Sequence, residues 1–387
     1  MLLVAVDEAG YGPKLGPLVV AATTWRVEPG VVRDLFATAT HAVSTASYLA
    51  ALNAAFAPLS QPVDVGGVAV RVDDSKRIFQ RSDGKAAPLQ KLQQVLSVAC
   101  HLLQSELPIE SNQNVTPTDW PGCIRHWIAE DLQAVLETPW LAGMIQTDLW
   151  PREIARDVVD KDLCRDACMR WRAMPLHLRS VQARVITADR FNQFCCGGSS
   201  GVPRGNKSDL LSETSLQLVA DCLQRASVQP DLASATNAAS FADDTAAIET
   251  PQRSLVFFDR HGGRRYYASV IQHIFPDHAI EVLEETARRS VYRIRSETTE
   301  MVCHFTVKGD SFAPVAFASL HAKYLREIAM GCFNQFFHDA WRNSPSATAD
   351  PPRPTAGYPV DADRYLSEIQ PLWDTMSGSC PDLVRCR

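Results

Sequence analysis

Apolar and polar positions along the chain alternate between short runs with strand periodicity and longer stretches with helical periodicity. The first run, Leu2 to Val6, ends in Asp7 and Glu8. A turn punctuated by Gly10, Gly12, Pro13, Gly16 and Pro17 follows, and a second β-prone run spans Leu18 to Trp25. The pattern predicts strand, tight loop, strand, with carboxylates at the exit of the first strand. Val31 to Pro58 is rich in alanine with few breakers and is predicted helical, and Gly66 to Val72 is predicted to be a third strand leading into Asp73-Asp74-Ser75-Lys76. Ala87 to Leu103 spaces Leu89, Leu92, Val95, Leu96 and Ala99 as a helix does. Glu106 to Pro121 is polar and proline-punctuated, a loop, and Cys123 to Met174 carries Trp127, Trp140, Trp150 and Trp171 as an inserted helical unit. Tryptophans at that density predict a packed subdomain.

In the second half, Val181 to Ile186 is a predicted strand, and Thr187 is placed to cap a helix behind it. The glycine-rich stretch Cys196 to Gly205 breaks that helix, and Leu210 to Arg225 resumes an amphipathic one. Ala226 to Gln252 is low-complexity Ala, Ser, Thr and Asp, expected as a mobile surface excursion. Ser254 to Phe258 is a buried strand delivering Asp259, and Glu300 to Lys308 alternates as a strand delivering Asp310. Between them, Tyr266 to Phe275 and Ala279 to Arg289 are predicted helical; Phe312 to Trp341 is the longest predicted helix, and Asp361 to Met376 the last. The expected organisation is a first core segment over 1–103 with a helical insertion near 31–65, an inserted helical subdomain over 104–178, and a second core segment over 179–343. A linker and C-terminal helical segment over 344–387 complete it.

Composition narrows the class. The chain has 387 residues with a 46% apolar fraction, enough for a full core. No run approaches membrane-spanning length and no basic leader precedes Leu2, so the expectation is a cytoplasmic protein without membrane contact. Eleven cysteines without framework spacing are expected to be reduced. Cys164-x-x-x-Cys168 and Cys195-Cys196 supply at most half of a zinc shell. The formal charge of −6 runs against polyanion binding, yet Arg260, Arg264, Arg265, Arg288, Arg289, Arg293 and Arg295 interleave with Tyr266, Tyr267 and Tyr292. Such a segment suits a nucleic-acid backbone groove with stacking contacts, and it equally suits solvated surface faces.

Three carboxylates, Asp7, Asp259 and Asp310, stand just beyond separate apolar strands, with Glu8 beside the first. Aligned strands bring such ends to one sheet edge, where open α/β sheets keep their sites. Gathered acids repel one another unless a cation neutralises them. Mg²⁺ or Mn²⁺ is the natural occupant, and a pair of ions about 4 Å apart could activate water and stabilise a leaving oxygen. The glycines do not form a dinucleotide loop, because Pro13, Gly16 and Pro17 stop the helix that a pyrophosphate needs. A hairpin with solvated acids at its tip satisfies the first stretch alone.

Five blocks decide between these readings. DEAGYGPKLGP resembles the DEAGRGPLAGP signature of type 2 ribonucleases H, and DSK at Asp74 to Lys76 resembles their DSKKLS. LVFFDRHGG ends a strand in aspartate as theirs does. VKGDSFAPVAFASLHAKYLREIAM resembles their VKGDxxxPxIxAASILAKVxRDxxM, and AGYPVDADRYL their HKGYPTxxHxxxL. The blocks occur in family order over about a third of the chain. The resemblance implies a ribonuclease H-like α/β fold with a mixed central sheet and helical insertions. It implies Asp7, Glu8, Asp259 and Asp310 as metal-holding catalytic acids, with Glu8 serving through its backbone carbonyl as much as its carboxylate. Gly10, Tyr11 and Gly12 would approach the ribose 2′-hydroxyl. Ser75, Lys76, Lys308 and Lys323 are implied substrate contacts, and Tyr358 would stack near a sugar; read singly, the lysines suit plain surface and Tyr358 a turn before Pro359. His304 and His321 are read as structural. The implied activity is two-metal hydrolysis of the RNA strand of RNA–DNA hybrids or of ribonucleotide-containing DNA, with a monomer favoured. Another two-metal nuclease on structured DNA, or an inactive nucleic-acid-binding module, are the alternatives. Three departures bear on substrate choice: Tyr11 replaces arginine in the G-R-G turn, Arg260 replaces the glycine after the strand aspartate, and the stretch from Asp259 to Asp310 is long.

Overall fold

The computed structural model describes residues 1–28, 31, 45–79, 88–104, 118–198, 201–228, 251–344, 350–376 and 381–386. Strand β1 (Leu2–Ala9) returns through the glycine turn into β2 (Leu18–Val27), antiparallel, with Leu2 opposite Arg26 and Ala9 opposite Val19. Helix α1 (Thr45–Ser60), the ribbon of β3 (Val63–Val65) and β4 (Val68–Val70), short helix α2 (Ser75–Ile78) and α3 (Pro88–Gln104) come next. Then follow α4 (Trp120–Trp127), α5 (Leu132–Leu136), α6 (Arg165–Arg172), β5 (Leu176–Ile186), α7 (Ala188–Cys196) and α8 (Lys207–Val228). Strand β6 (Gln252–Asp259) leads through α9 (Ala268–Ile274) to β7 (Ala279–Glu285), β8 (Arg289–Arg295) and β9 (Thr299–Thr306), and helices α10 (Ala313–Arg342) and α11 (Pro359–Met376) close the chain.

The seven long strands form one mixed sheet in the order β5-β2-β1-β6-β9-β8-β7. Only β1, β6 and β9 run parallel to their shared neighbours, and they occupy adjacent central places. Their C-terminal ends therefore point to one edge. Because strand side chains alternate, Leu3 and Ala5 join the core beneath α10 with Phe317 and Leu320, whereas Val4 and Val6 join the opposite core with Leu211 and Leu218 of α8. Helices on both faces explain why the central strands read as unbroken apolar runs. Helix α10 is buried along most of its length, as its all-round apolar pattern requires. Three tryptophans between residues 120 and 171 pack against it: Trp120 on Tyr324 at 4.8 Å, Trp127 on His321 at 5.1 Å and Trp171 on Phe317 at 5.7 Å between ring centres. The result is the α/β architecture with a mixed sheet flanked by helices that the sequence implies.

Three local expectations differ from the structure. Ala279 to Arg289 holds an edge strand and a turn, not a helix. Its glutamates repeat at helical intervals but pair across strands, Arg293 with Glu281 at 2.8 Å and Arg289 Nε with Glu284 at 3.0 Å. Gly66 to Val72 contributes β4 of a separate two-stranded ribbon rather than a third strand of the main sheet. Cys196 is disulfide-bonded to Cys386 instead of reduced, joining the end of α7 to the C-terminal tail. Cys164 and Cys168 are buried free thiols in the core, and among the described residues they belong to no group of three or more acid, imidazole or thiol side chains that could hold a metal ion. Parts of the expected first helix, the polar loop, the mobile excursion and the proline linker (32–44, 106–117, 229–250 and 345–349) lie outside the described residues. Among the described residues no helix is long and apolar enough to cross a membrane.

Candidate active site

The parallel ends of β1, β6 and β9 bring the predicted acids to one place. Asp7 alternates onto the α10 face, is buried, and accepts the Glu8 backbone N–H at 2.8 Å. It also hydrogen-bonds Ser319 of α10, whose Oγ lies 3.1 Å from that of Ser75. Burial first, then the charges of Glu8 and Asp259, push the Asp7 carboxyl well above the usual carboxylate range. Glu8, next along the strand, is pushed up to about 7 by burial and then by Asp259, while Lys76 opposes the rise. Asp310 sits half-buried in a 3₁₀ turn after β9 and is raised by burial, then by Asp74 and Asp259, again opposed by Lys76. Asp259 is thus the charge that all three of the others feel. The common cause is burial of the carboxyls, with like charge from the neighbouring acids second.

The junction of Asp259 with the third strand depends on glycine. The Gly309 N–H donates to Asp259 Oδ1 at 2.8 Å, and a Cβ at 309 would lie 2.8 Å from both Asp259 Cα and the Phe258 carbonyl. Its neighbour Lys308 has φ of 60°, the one non-glycine left-handed residue among the described residues. Such conformations are uncommon outside glycine and concentrate at functional sites.

The glycine turn after Glu8 is held from below. Gly10 has φ of +87°, and a Cβ there would meet Arg326 Cδ at 2.6 Å and the Pro17 carbonyl at 2.7 Å. Arg326 of α10 is buried and donates to the carbonyls of Pro17 and Leu15, each at 3.3 Å, and of Ala356 at 3.0 Å. The backbone N–H of Lys14 donates to Gly357 at 2.7 Å, which brings the exposed Tyr358 alongside the turn. Gly12 is exposed with open space around it. Tyr11 leans away onto α8: its ring lies 4.7 Å beneath Lys207 Nζ, and its hydroxyl hydrogen-bonds Ser208.

The remaining predicted contacts divide. Lys76 is exposed in the first turn of α2, close enough to act on Glu8 and Asp310, while Ser75 is buried and serves as a prop beneath Ser319. Lys308 is exposed. Lys323 is engaged within the chain by Glu327 at 2.6 Å and by the Phe79 ring at 4.4 Å. Most arginines of the arginine-rich segment are engaged within the chain rather than lining a groove of free cations: Arg264 binds Asp209 at 2.9 Å, Arg260 binds backbone carbonyls, and Tyr267 and Tyr292 are fully buried, whereas Arg265 and Arg288 stay exposed. His304 and His321 are buried core groups with lowered pKa, as expected for structural histidines.

Two residues escaped the sequence reading. Asp74 acts on Asp310 while its carboxylate caps α2 through the Lys76 N–H at 2.8 Å; its place beside Ser75 and Lys76 was the available signal. For Arg326 the available signal was its match to the arginine in the resembled AKVxRD stretch, since a helix arginine by itself is ordinarily solvated. The donor set is all hard oxygen and carries repulsion that a divalent cation relieves, so it fits Mg²⁺ or Mn²⁺ in kind and charge. Among the described residues, however, no three acid, imidazole or thiol groups stand gathered as a finished metal shell.

No protein-family model and no curated protein matches the sequence. Among solved structures, the chain is similar to ribonuclease H2 from Pyrococcus horikoshii OT3, with 12% identity, 100% of this chain and 92% of that chain covered, and a TM-score of 0.33. It is likewise similar to the RNase HII of a PCNA:RNase HII complex from Archaeoglobus fulgidus, with 12% identity, 100% and 95% coverage, and a TM-score of 0.34. Similarity this slight carries no argument about activity.

Proposed function

We propose that the protein is a divalent-metal-dependent endonuclease that hydrolyses the RNA strand of RNA–DNA hybrids. The observation that carries this reading is the group of Asp7, Glu8, Asp259 and Asp310 at the shared end of three adjacent strands, where burial and then neighbouring acid charge, that of Asp259 in each case included, raise Asp7, Glu8 and Asp310 and the exposed Lys76 only partly opposes the rise at Glu8 and Asp310. The five sequence blocks that resemble type 2 ribonucleases H support the choice of substrate.

In this reading the four acids hold Mg²⁺ or Mn²⁺, which supplies activation of water and charge for the leaving oxygen. Asp259 is steadied by the Gly309 N–H and Asp7 by Ser319, so both carboxylates are oriented before substrate arrives. Gly10 and Gly12, without side chains, let backbone amides approach a ribose 2′-hydroxyl, the group that separates RNA from DNA. Lys76 contacts phosphate near Glu8 and Asp310, and Tyr358 offers a face to the neighbouring sugar. Lys323 is a weaker candidate for phosphate contact because Glu327 already holds it.

The test is purified protein with Mg²⁺ or Mn²⁺, against a chelator control, on a uniform hybrid, a single-ribonucleotide duplex, plain duplex DNA and branched DNA. Metal-dependent cuts in the RNA strand leaving 5′-phosphate and 3′-hydroxyl ends are expected. Cleavage confined to branched DNA would make it a nuclease of another substrate. Binding without cleavage in either metal would make it an inactive nucleic-acid-binding module.

A further inference from the structure

The β7–β8 hairpin extends the sheet beyond the three acid-bearing strands, and its turn is joined to their edge. The Val307 N–H donates to the Arg288 carbonyl at 2.9 Å, so the hairpin turn lies against the backbone that leads to Asp310. Between them is a notch of about 770 Å³ walled by Thr286, Arg288, Arg289, Val307 and Lys308, among others. Arg289 is neutralised there by Glu284. Arg288 and Lys308 are exposed and have no carboxylate partner among the described residues, so the notch carries two uncompensated cations.

Arg260 fixes this notch relative to the acids. It follows Asp259 directly, and its guanidinium donates to the carbonyls of Ala287 at 2.7 Å and Thr286 at 3.1 Å. Its backbone N–H donates to Thr306 at 3.0 Å. One residue thus braces the hairpin turn against the strand end that presents Asp259. On the far wall, Lys308 keeps its left-handed backbone two residues before Asp310. No aromatic ring lines the notch, so it has no platform on which a base could stack.

We propose that this notch is a backbone-phosphate subsite that holds a polynucleotide strand beside the acid cluster, with Arg288 as its principal cation and Arg260 as its positioning residue. The proposal rests on the nuclease reading. It makes the long Asp259–Asp310 segment a substrate-binding extension, and it gives Arg260 a reason to stand where the family resemblance has glycine.

The test uses the full chain in chelator, with a fluorescein-labelled RNA–DNA hybrid and anisotropy titrations from 50 to 300 mM salt, a range chosen because each phosphate contact contributes about −0.9 to the log–log slope. Arg288→Ala is expected to reduce that slope by about one contact and to weaken binding roughly tenfold at the lowest salt. Arg288→Lys should restore the slope, and Arg165→Ala, on a remote surface, should leave it at the wild-type value. Arg260→Ala should weaken binding in parallel with faster hydrogen exchange at residues 286–288, which a purely electrostatic effect would not produce. A wild-type slope in Arg288→Ala, with wild-type protein still cleaving hybrid, would overturn the subsite and leave the nuclease standing. Wild-type protein that neither binds nor cleaves would overturn both.

Discussion

Asp259→Asn is the most informative perturbation of the acid cluster, because Asp259 raises the pKa of Asp7, Glu8 and Asp310 together. The magnitude can be worked at Glu8, whose pKa moves from its ordinary 4.5 to about 7. Between those values the folded protein keeps a proton that the unfolded chain has released, so stability falls as pH rises. The penalty is absent at lower pH, complete above about 7, and amounts to roughly 3 kcal/mol at most. Burial is the larger cause and Asp259 the second, which puts the relief on removing Asp259 at roughly 1–2 kcal/mol through Glu8 alone. Asparagine retains Oδ1 as acceptor for the Gly309 N–H, so the turn survives. The assay is urea denaturation in chelator from pH 4.5 to 8.5, repeated with Mg²⁺ or Mn²⁺. Wild-type protein should lose stability across this window, the variant should lose less and be the more stable at pH 8, and added metal should stabilise wild type far more than the variant. A wild-type profile that is flat or rising toward pH 8, or a variant less stable than wild type there, would refute the idea that these acids crowd one another.

Asp7→Asn and Asp310→Asn should each abolish metal-dependent cleavage of hybrid while near-ultraviolet circular dichroism stays native; near wild-type turnover in both would dissolve the site assignment. Gly10→Ala forces a Cβ into Arg326 and into a positive-φ residue, and Arg326→Met leaves three carbonyls without their donor. Each should lower stability by roughly 1–3 kcal/mol in denaturant titrations, and unchanged midpoints would show that the turn is not clamped as described. Tyr11 offers no guanidinium fork, so the protein should prefer continuous hybrids to single embedded ribonucleotides, and Tyr11→Arg should shift the ratio of initial rates toward the embedded site. An equal wild-type ratio would assign that contact to another cation, with Lys207 above the Tyr11 ring the first to test.

Much of this architecture is written locally in the chain. Apolar runs that end in Asp7 and Asp259, and the long apolar helix after Asp310, are statements of periodicity that hold wherever the run packs. Strands β1, β2, β5, β6 and β9 and helices α3, α8, α10 and α11 could therefore be read in advance. The glycine turn was legible for a similar reason, since only residues without a Cβ tolerate its conformation. What local pattern could not decide is which charges meet. Glutamates at 281, 284 and 285 fit a helix face and a strand edge equally well, and only the partner strand β8, with Arg289 and Arg293 opposite, selects the strand. Most of the arginines that resembled a free basic groove are consumed by Asp209, Glu281, Glu284 and backbone carbonyls that strand pairing and packing bring to them. Arg326 is about 310 residues from the turn it supports, and Cys196 is 190 residues from Cys386. Charge pairing, buried hydrogen bonds and covalent cross-links depend on distance in space, which no one-dimensional pattern contains. Sequence by itself determined where strands end and which acids stand there; only the tertiary structure decided which of those charges are left unbalanced.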